Sequence, residues 1–290
     1  MKIKESELIL NPDGSIYHLN LKPEHIAHTI ILVGDQDRVN KITKHFDSVE
    51  YSIQKREFKT ETGVYKGKRI SVVSTGIGCD NIDIVLNELD ALVNIDFETR
   101  TLKKELTSLN IIRVGTSGSL QKEVPVDSFA LSAYGLDFSG MLHFYDIEGI
   151  RNKPFEDAFV AHTKWNTNKS YPILVKNSAV LEALFSSEET KSGVTATASG
   201  FYGPQGRVLR LKTEDPILND RLHSFKFEDL KVVNFEMETA AIYGLSALLG
   251  HQALSLNAII ANRATGQFSK DPGLLIERLI MYTLNRIINL

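Results

Sequence analysis

Three groups of residues in this 290-residue chain have types and spacings suited to chemistry on a small polar molecule. The first is a pair of glycine-bearing runs, Gly34-Asp35-Gln36-Asp37-Arg38 and Arg113-Val114-Gly115-Thr116-Ser117-Gly118. Glycine lets backbone N–H groups approach an anion closely, and a following helix N-terminus adds a favourable dipole. Arg38 and Arg113 each offer a forked guanidinium that matches phosphate geometry, and Thr116 adds a hydroxyl donor. Such turns and solvated arginines are also common in proteins that bind no anion. The second group is Glu236-Met237-Glu238, two carboxylates at i and i+2 where an apolar strand meets an apolar helix. Buried carboxylates are costly without partners. Either they accept hydrogen bonds from paired sugar hydroxyls, or they favour the helix N-terminus through its dipole. The third is Phe201-Tyr202-Gly203-Pro204-Gln205-Gly206-Arg207. A planar heterocycle could stack on Phe201 and meet Gln205 and Arg207 in its plane, although a plain β-turn with a solvated arginine has the same composition.

These groups fall where short apolar runs end. Runs at 29–33, 70–74, 111–114, 126–133, 194–198, 232–235 and 256–261 are rich in β-branched residues and close on glycine or small residues. Continuous hydrophobicity suits central strands covered on both faces. Helical patterns lie between several of them. The 81–93 segment puts Ile82, Val85, Leu86, Leu89 and Val93 on one stripe. The 236–249 segment is rich in Ala and Leu and is followed by Gly250 at a helix-stopping position, and 274–288 reads as an amphipathic helix. Alternating strands and helices predict an α/β fold with a mostly parallel or mixed sheet flanked by helices. In open α/β sheets ligands bind beyond the carboxyl ends of strands, which is where the three groups lie.

No linker-like composition divides the chain, so a single domain over 1–290 is expected. Its polar stretches are 94–106, read as a helix extension or insertion, and 151–170, an excursion holding the only tryptophan, Trp165. A formal charge of −3 argues against a broad nucleic-acid or acidic-membrane surface. A single cysteine makes no intrachain disulfide and suits a reducing compartment. No apolar run approaches the roughly 18 residues of a spanning helix, and the first residues lack a signal-peptide stretch, so a cytoplasmic location is expected. No P-loop or GxGxxG pattern is present, which speaks against a nucleoside triphosphate or NAD. Cys79 reads as a small buried thiol, and His143, His162 and His251 lack metal-ligand spacing.

Taken in order, the segments resemble the uridine phosphorylase branch of the nucleoside phosphorylase family. Those carrying the resemblance are 33–38, Lys55-Arg56-Glu57-Phe58, Ser74-Thr75-Gly76-Ile77-Gly78, 113–118, 201–207, Asn234-Phe235-Glu236-Met237-Glu238 and Asn262-Arg263. The resemblance runs from about His18 to the C-terminal helix. It implies a phosphorylase/hydrolase-like central sheet and a reaction of nucleoside with phosphate, giving free base and ribose 1-phosphate. It implies that Gly34, Arg38, Arg113 and Thr116 hold phosphate, and that Arg56 reaches the phosphate of a neighbouring subunit. Glu238 would grip the ribose hydroxyls, with Met237 packed on the sugar and Glu236 nearby, and His18 would bond the 5′-hydroxyl across the subunit boundary. Gln205 and Arg207 would read the pyrimidine edge, Phe201 would stack, Ile260 and Ala261 would line the base pocket, and Arg263 would support Arg207 or an internal water near the base. No cofactor is implied beyond phosphate as co-substrate. A monovalent cation is implied near Glu57 and Ile77, where Asn81 stands in place of a family serine. The partners implied are a nucleoside and phosphate, with a homodimer as minimum unit and a hexamer compatible with that branch. Two alternatives stand beside uridine phosphorolysis: a purine nucleoside phosphorylase or nucleosidase on the same fold, and a non-catalytic nucleoside-binding protein. The purine branch is expected to place an Asp near Ala261-Asn262-Arg263, and there is none. Gly266 and polar neighbours at 265–270 suggest a lid.

Overall fold

The computed structural model describes residues 2–290. Along the chain run β1 (Thr29–Val33), α1 (Gln36–Thr43), β2 (Ser48–Lys55), β3 (Phe58–Tyr65), β4 (Lys68–Ser74) and α2 (Cys79–Asn94). The small pair β5 (Ile95–Asp96) and β6 (Thr101–Leu102) precedes β7 (Asn110–Ser119), β8 (Phe129–Asp137), α3 (Lys153–Thr163), β9 (Ile173–Lys176) and α4 (Ala179–Phe185). Then come β10 (Thr190–Thr197), α5 (Leu218–Ser224), β11 (Lys226–Phe227), β12 (Leu230–Glu236), α6 (Thr239–Leu249), β13 (Gln252–Asn262), β14 (Gln267–Phe268) and α7 (Pro272–Ile287).

Twelve strands form one mixed sheet in the order β11-β12-β10-β8-β13-β7-β1-β4-β3-β2, with β14 on β13 and β9 on β8. The α/β fold with a mixed sheet between helices is the one the apolar runs predict. β12 also pairs antiparallel with β7, Asn234 opposite Ser119 and Phe235 opposite Gly118. That second pairing closes β12, β10, β8, β13 and β7 on themselves as a barrel-like half, while β1, β4, β3 and β2 continue as an open sheet. The runs at 29–33, 70–74 and 111–114 are buried throughout, as strands packed on both faces must be.

The predicted helices form with shifted ends. α2 buries Ile82, Val85, Leu86 and Leu89 against the core, each worth about 1.5–3 kcal/mol of transfer free energy. Its N-terminal residue is Cys79, two positions before the predicted start. α6 begins at Thr239, not at Glu236, which instead ends β12. Gly250 closes α6 at φ 80°, a left-handed conformation that glycine adopts without strain.

Other expectations are corrected. The 94–106 segment is no helix extension. α2 stops at Asn94, whose amide exchanges hydrogen bonds with Thr107 (2.7 and 3.2 Å), and the β5–β6 hairpin follows. The 151–170 stretch contains α3, capped by Asn152 and docked through buried Phe155 and Phe159. The buried Glu156 carboxylate is matched there by Arg151 at 2.6 Å. The run at 126–133 is displaced, because its strand spans 129–137. The polar edge strand β2, half-exposed along its length, has no apolar run to betray it. The largest correction concerns 113–118. These residues are no loop: they are the interior of β7, paired along their whole length with β13.

Candidate active site

The three groups read from the sequence converge on one cleft of about 480 Å³. One end is walled by Gly34, Asp35, Arg38, Arg113 and Thr116, and the middle by Glu236, Met237, Glu238 and Ile77. The other end is walled by Phe201, Gln205, Arg207, Ile260, Ala261 and Phe268. Asp35, Ser117, Gly118, Phe235 and Phe268 also line it, residues to which the sequence assigns no individual role.

Arg113 is built into β7 and buried. Its Nη2 is paired with Glu238, lies 3.5 Å from Glu236, and its Nη1 donates to Asn257 Oδ1 at 2.9 Å. Burial opposes its charge, but Glu238 and then Glu236 outweigh that and hold the guanidinium charged. Gly115 serves this arrangement. An added Cβ would overlap Arg113 Nη1 and stand 2.7 Å from Asn257 Oδ1, so the strand glycine makes room for a neighbour's guanidinium and not for a ligand's oxygens. Arg38 lies alongside, reached from α1, with Nη1 donating to Val114 O at 3.3 Å. Its Nε is buried without a partner among the described residues. Burial and then the charge of Arg113 lower its pKa.

The two carboxylates separate in role. Glu236 accepts from Thr197 Oγ1 (2.7 Å), Glu238 N (2.9 Å) and Thr239 N (2.9 Å), so it caps the start of α6. Its bonds match the helix-terminus reading, while it also lines the cleft beside Glu238. Burial raises its pKa, partly offset by Arg113 and reinforced by Glu238. Glu238 faces the cleft, accepting from Gly78 N at 2.8 Å on one oxygen and from Arg113 on the other. Gly78, at φ 100°, heads α2 in a conformation glycine tolerates. Cys79 follows, donating to Met237 O at 3.3 Å. Burial, then the nearby Asp137, pushes its thiol well up, which suppresses a thiolate nucleophile.

At the far end Gln205 is buried. Its Oε1 accepts from Arg207 Nη1 (2.6 Å) and Arg263 Nη2 (3.2 Å), which orients the amide with its Nε2 unused by those arginines. Arg263 also donates to Gln205 O and does not line the cleft, so its contact is with Gln205 and not with Arg207. Burial and then Arg207 lower Arg263 to about 10. Phe201 stands at the rim, half exposed. The Arg207 guanidinium lies over its ring, 3.7 Å from the centroid, so that ring face is occupied by the arginine.

His18 and Arg56 are not brought to this cleft. The His18 ring is held by Glu88 (Nδ1 to Oε1, 2.6 Å). Arg56 is exposed in the β2–β3 turn at φ 57°. Glu57 and Asn81 converge beside Gly76, but among the described residues no three His, Cys, Asp or Glu side chains gather as a metal cage. The 265–270 segment carries β14, whose Phe268 pairs with Ala261 and is 63% exposed at the rim.

The family model described as the phosphorylase superfamily matches residues 28–274. The chain belongs to that superfamily. Among curated relatives it is 29% identical over 279 residues to the uridine phosphorylase of Thermococcus kodakarensis, covering 93% of this chain and 85% of the relative. It is 30% identical over 253 residues to a DeoD-type purine nucleoside phosphorylase of Alkaliphilus metalliredigens, covering 86% and 88%. Among solved structures, a Trypanosoma brucei nucleoside phosphorylase described as showing uridine phosphorylase activity superposes with a TM-score of 0.89. That pair shares 29% identity over 98% of this chain and 100% of the other. A purine nucleoside phosphorylase of Toxoplasma gondii, 19% identical with a TM-score of 0.66, shares the fold. Among the described residues no helix is long and apolar enough to cross a membrane.

Proposed function

We propose that this superfamily member is a pentosyltransferase that cleaves pyrimidine nucleosides with phosphate, uridine giving uracil and ribose 1-phosphate. The observation that carries the reading is the Gln205 amide, clamped by Arg207 and Arg263 in the same cleft as Arg38 and Arg113. A fixed amide beside a guanidinium suits the carbonyl and N3 edge of a pyrimidine.

On this reading a phosphate oxygen attacks the anomeric carbon while the bond to base nitrogen breaks. The electron pair of that bond passes into the uracil ring, and positive charge builds on the sugar. Arg38, Arg113, Thr116 and the Gly34 backbone hold phosphate, whose own charge stabilises the sugar. Glu238 accepts from the ribose hydroxyls. Arg207 and Gln205 stabilise the leaving base. Positioning and charge stabilisation do the catalysis, and the protein supplies no nucleophile. Phosphate is a co-substrate, and the reaction calls for no resident cofactor. A homodimer is the smallest complete unit, because His18 and Arg56 stand outside their own chain's cleft and are read as serving a neighbour's. The site is read as part of a single phosphorylase domain with additions near 94–106 and 145–170, working in the cytoplasm.

The names of purine-specific relatives make purine phosphorolysis the competing reading. Against it stands the base end of the cleft. Asn262, the residue nearest the purine enzymes' acidic position, is buried with its amide donating to Gln121 O and Val124 O, both at 2.9 Å. It is no acid for a purine nitrogen. The test is free-base release from uridine, thymidine, cytidine and inosine, each with and without phosphate. Uridine turnover that requires phosphate is expected. Phosphate-independent release, or a preference for inosine, overturns the proposal.

A further inference from the structure

The buried Asn257 lies in the middle of β13, a strand whose other central residues are mostly apolar. It sits directly opposite Gly115, and Ser255 opposite Arg113. Residues two apart on a strand share a face, so Arg113, Gly115, Ser255 and Asn257 form one square on one side of the sheet. Within it Asn257 Oδ1 accepts from Arg113 Nη1 (2.9 Å), and Asn257 Nδ2 donates to Ser255 Oγ (3.3 Å). Ser255 Oγ in turn accepts from Thr239 Oγ1 (2.8 Å) at the start of α6. The amide is thus oriented by a chain of bonds anchored in the helix behind it.

We propose that Asn257 is a positioning residue for phosphate. It fixes the Arg113 guanidinium between the ribose carboxylate and the anion, and Gly115 provides the space for it to do so. The inference rests on the phosphorolysis reading for its catalytic consequence, but phosphate binding itself can be measured without turnover.

The choice of amide over carboxylate follows from charge. Glu236 and Glu238 already face Arg113 at its Nη2. A third acceptor on Nη1 that carried a full negative charge would leave the phosphate end of the cleft short of positive charge. A neutral acceptor orients the fork and leaves its charge available to an anion. Gly115 is the second half of the device. An added Cβ there would stand 2.6 Å from Arg113 Cζ and 2.7 Å from Asn257 Oδ1, so any side chain separates the pair.

The experiment uses the full-length protein and three variants, Asn257→Asp, Asn257→Leu and Gly115→Ala. Inorganic phosphate alone is titrated against thermal unfolding, and KM for phosphate, KM for uridine and kcat are measured in parallel. Asn257→Asp keeps the shape and adds charge. It is expected to raise the phosphate Kd and KM by about 10- to 100-fold, the range for a charge-assisted contact, with a much smaller change in uridine KM. Asn257→Leu and Gly115→Ala are expected to weaken phosphate in the same selective way. A merely structural role would lower the unfolding temperature without that selectivity. Wild-type phosphate affinity in a folded Asn257→Asp protein overturns the proposal, as does equal loss for phosphate and uridine. If the wild type binds phosphate but does not cleave uridine, the phosphorolysis reading fails while the binding titration still decides the role of Asn257.

Discussion

Arg207 and Glu236 show how residue type and residue use part company. Both were legible as candidates from a short run of sequence. Arg207 belongs to the cleft, where it binds Gln205 Oε1 and covers Phe201. Glu236 belongs to the helix start, where three donors take its carboxylate. Spacing could not separate Glu236 from Glu238, because both readings need a carboxylate at the same junction. What separates them is the direction of each side chain where β12 turns into α6. If Arg207 stabilises charge on the departing base, Arg207→Ala is expected to lower kcat for uridine by about 10²–10³-fold, the range for one donor to a developing anion. Far-ultraviolet circular dichroism should be unchanged, since Arg207 only half leaves solvent. Turnover within a few-fold of wild type would remove it from the base-reading role.

Elements were legible where burial is two-sided and continuous. β1, β4 and the first half of β7 announce themselves as apolar runs, and α2 by its stripe. The second half of β7 was hidden by its glycines, which read as turn formers, although Gly115 in fact clears space for Arg113. β2 was hidden because an edge strand buries little. α3 was hidden because its two buried phenylalanines stand among charges, one of which is neutralised inside the fold by Arg151. α6 depends on a similar internal arrangement. Its Tyr243 hydroxyl donates to Ser132 O (2.6 Å) and accepts from Ser255 N (2.8 Å), pinning the helix to β8 and β13 behind the cleft. Tyr243→Phe takes away the acceptor of the buried Ser255 N and leaves Ser132 O with only Asn177 Nδ2, at 3.3 Å. A loss of about 1–3 kcal/mol in chemical denaturation is expected, with uridine KM nearly unchanged. An unaltered denaturation midpoint would mean that the helix is held by its apolar contacts alone.

At the scale of the molecule, the closing of β12 onto β7 makes a cleft out of separate strand ends. Asn234 fastens that closure. Its Nδ2 donates to Ser117 Oγ at 2.9 Å, while its Oδ1 accepts from Thr195 Oγ1 at 2.7 Å, linking β7, β12 and β10. Asn234→Ala is expected to cost about 1–3 kcal/mol, since it removes a buried side chain and its bond to Ser117 Oγ, while Thr195 Oγ1 keeps Ser132 Oγ as a partner. It should also lower turnover, because Phe235, Met237 and Glu238 follow directly on the same strand end. A variant with normal stability and turnover would show that backbone pairing alone holds the closure. The sequence by itself determined the fold class, the residues that carry the chemistry and the family, because apolar runs and short motifs are local properties. Only the tertiary structure decided which donors each carboxylate meets, why Gly115 must lack a side chain, and what Asn257 holds. Those depend on which residues of distant strands share one face of a closed sheet, a relation set by register and twist that adjacent letters do not record.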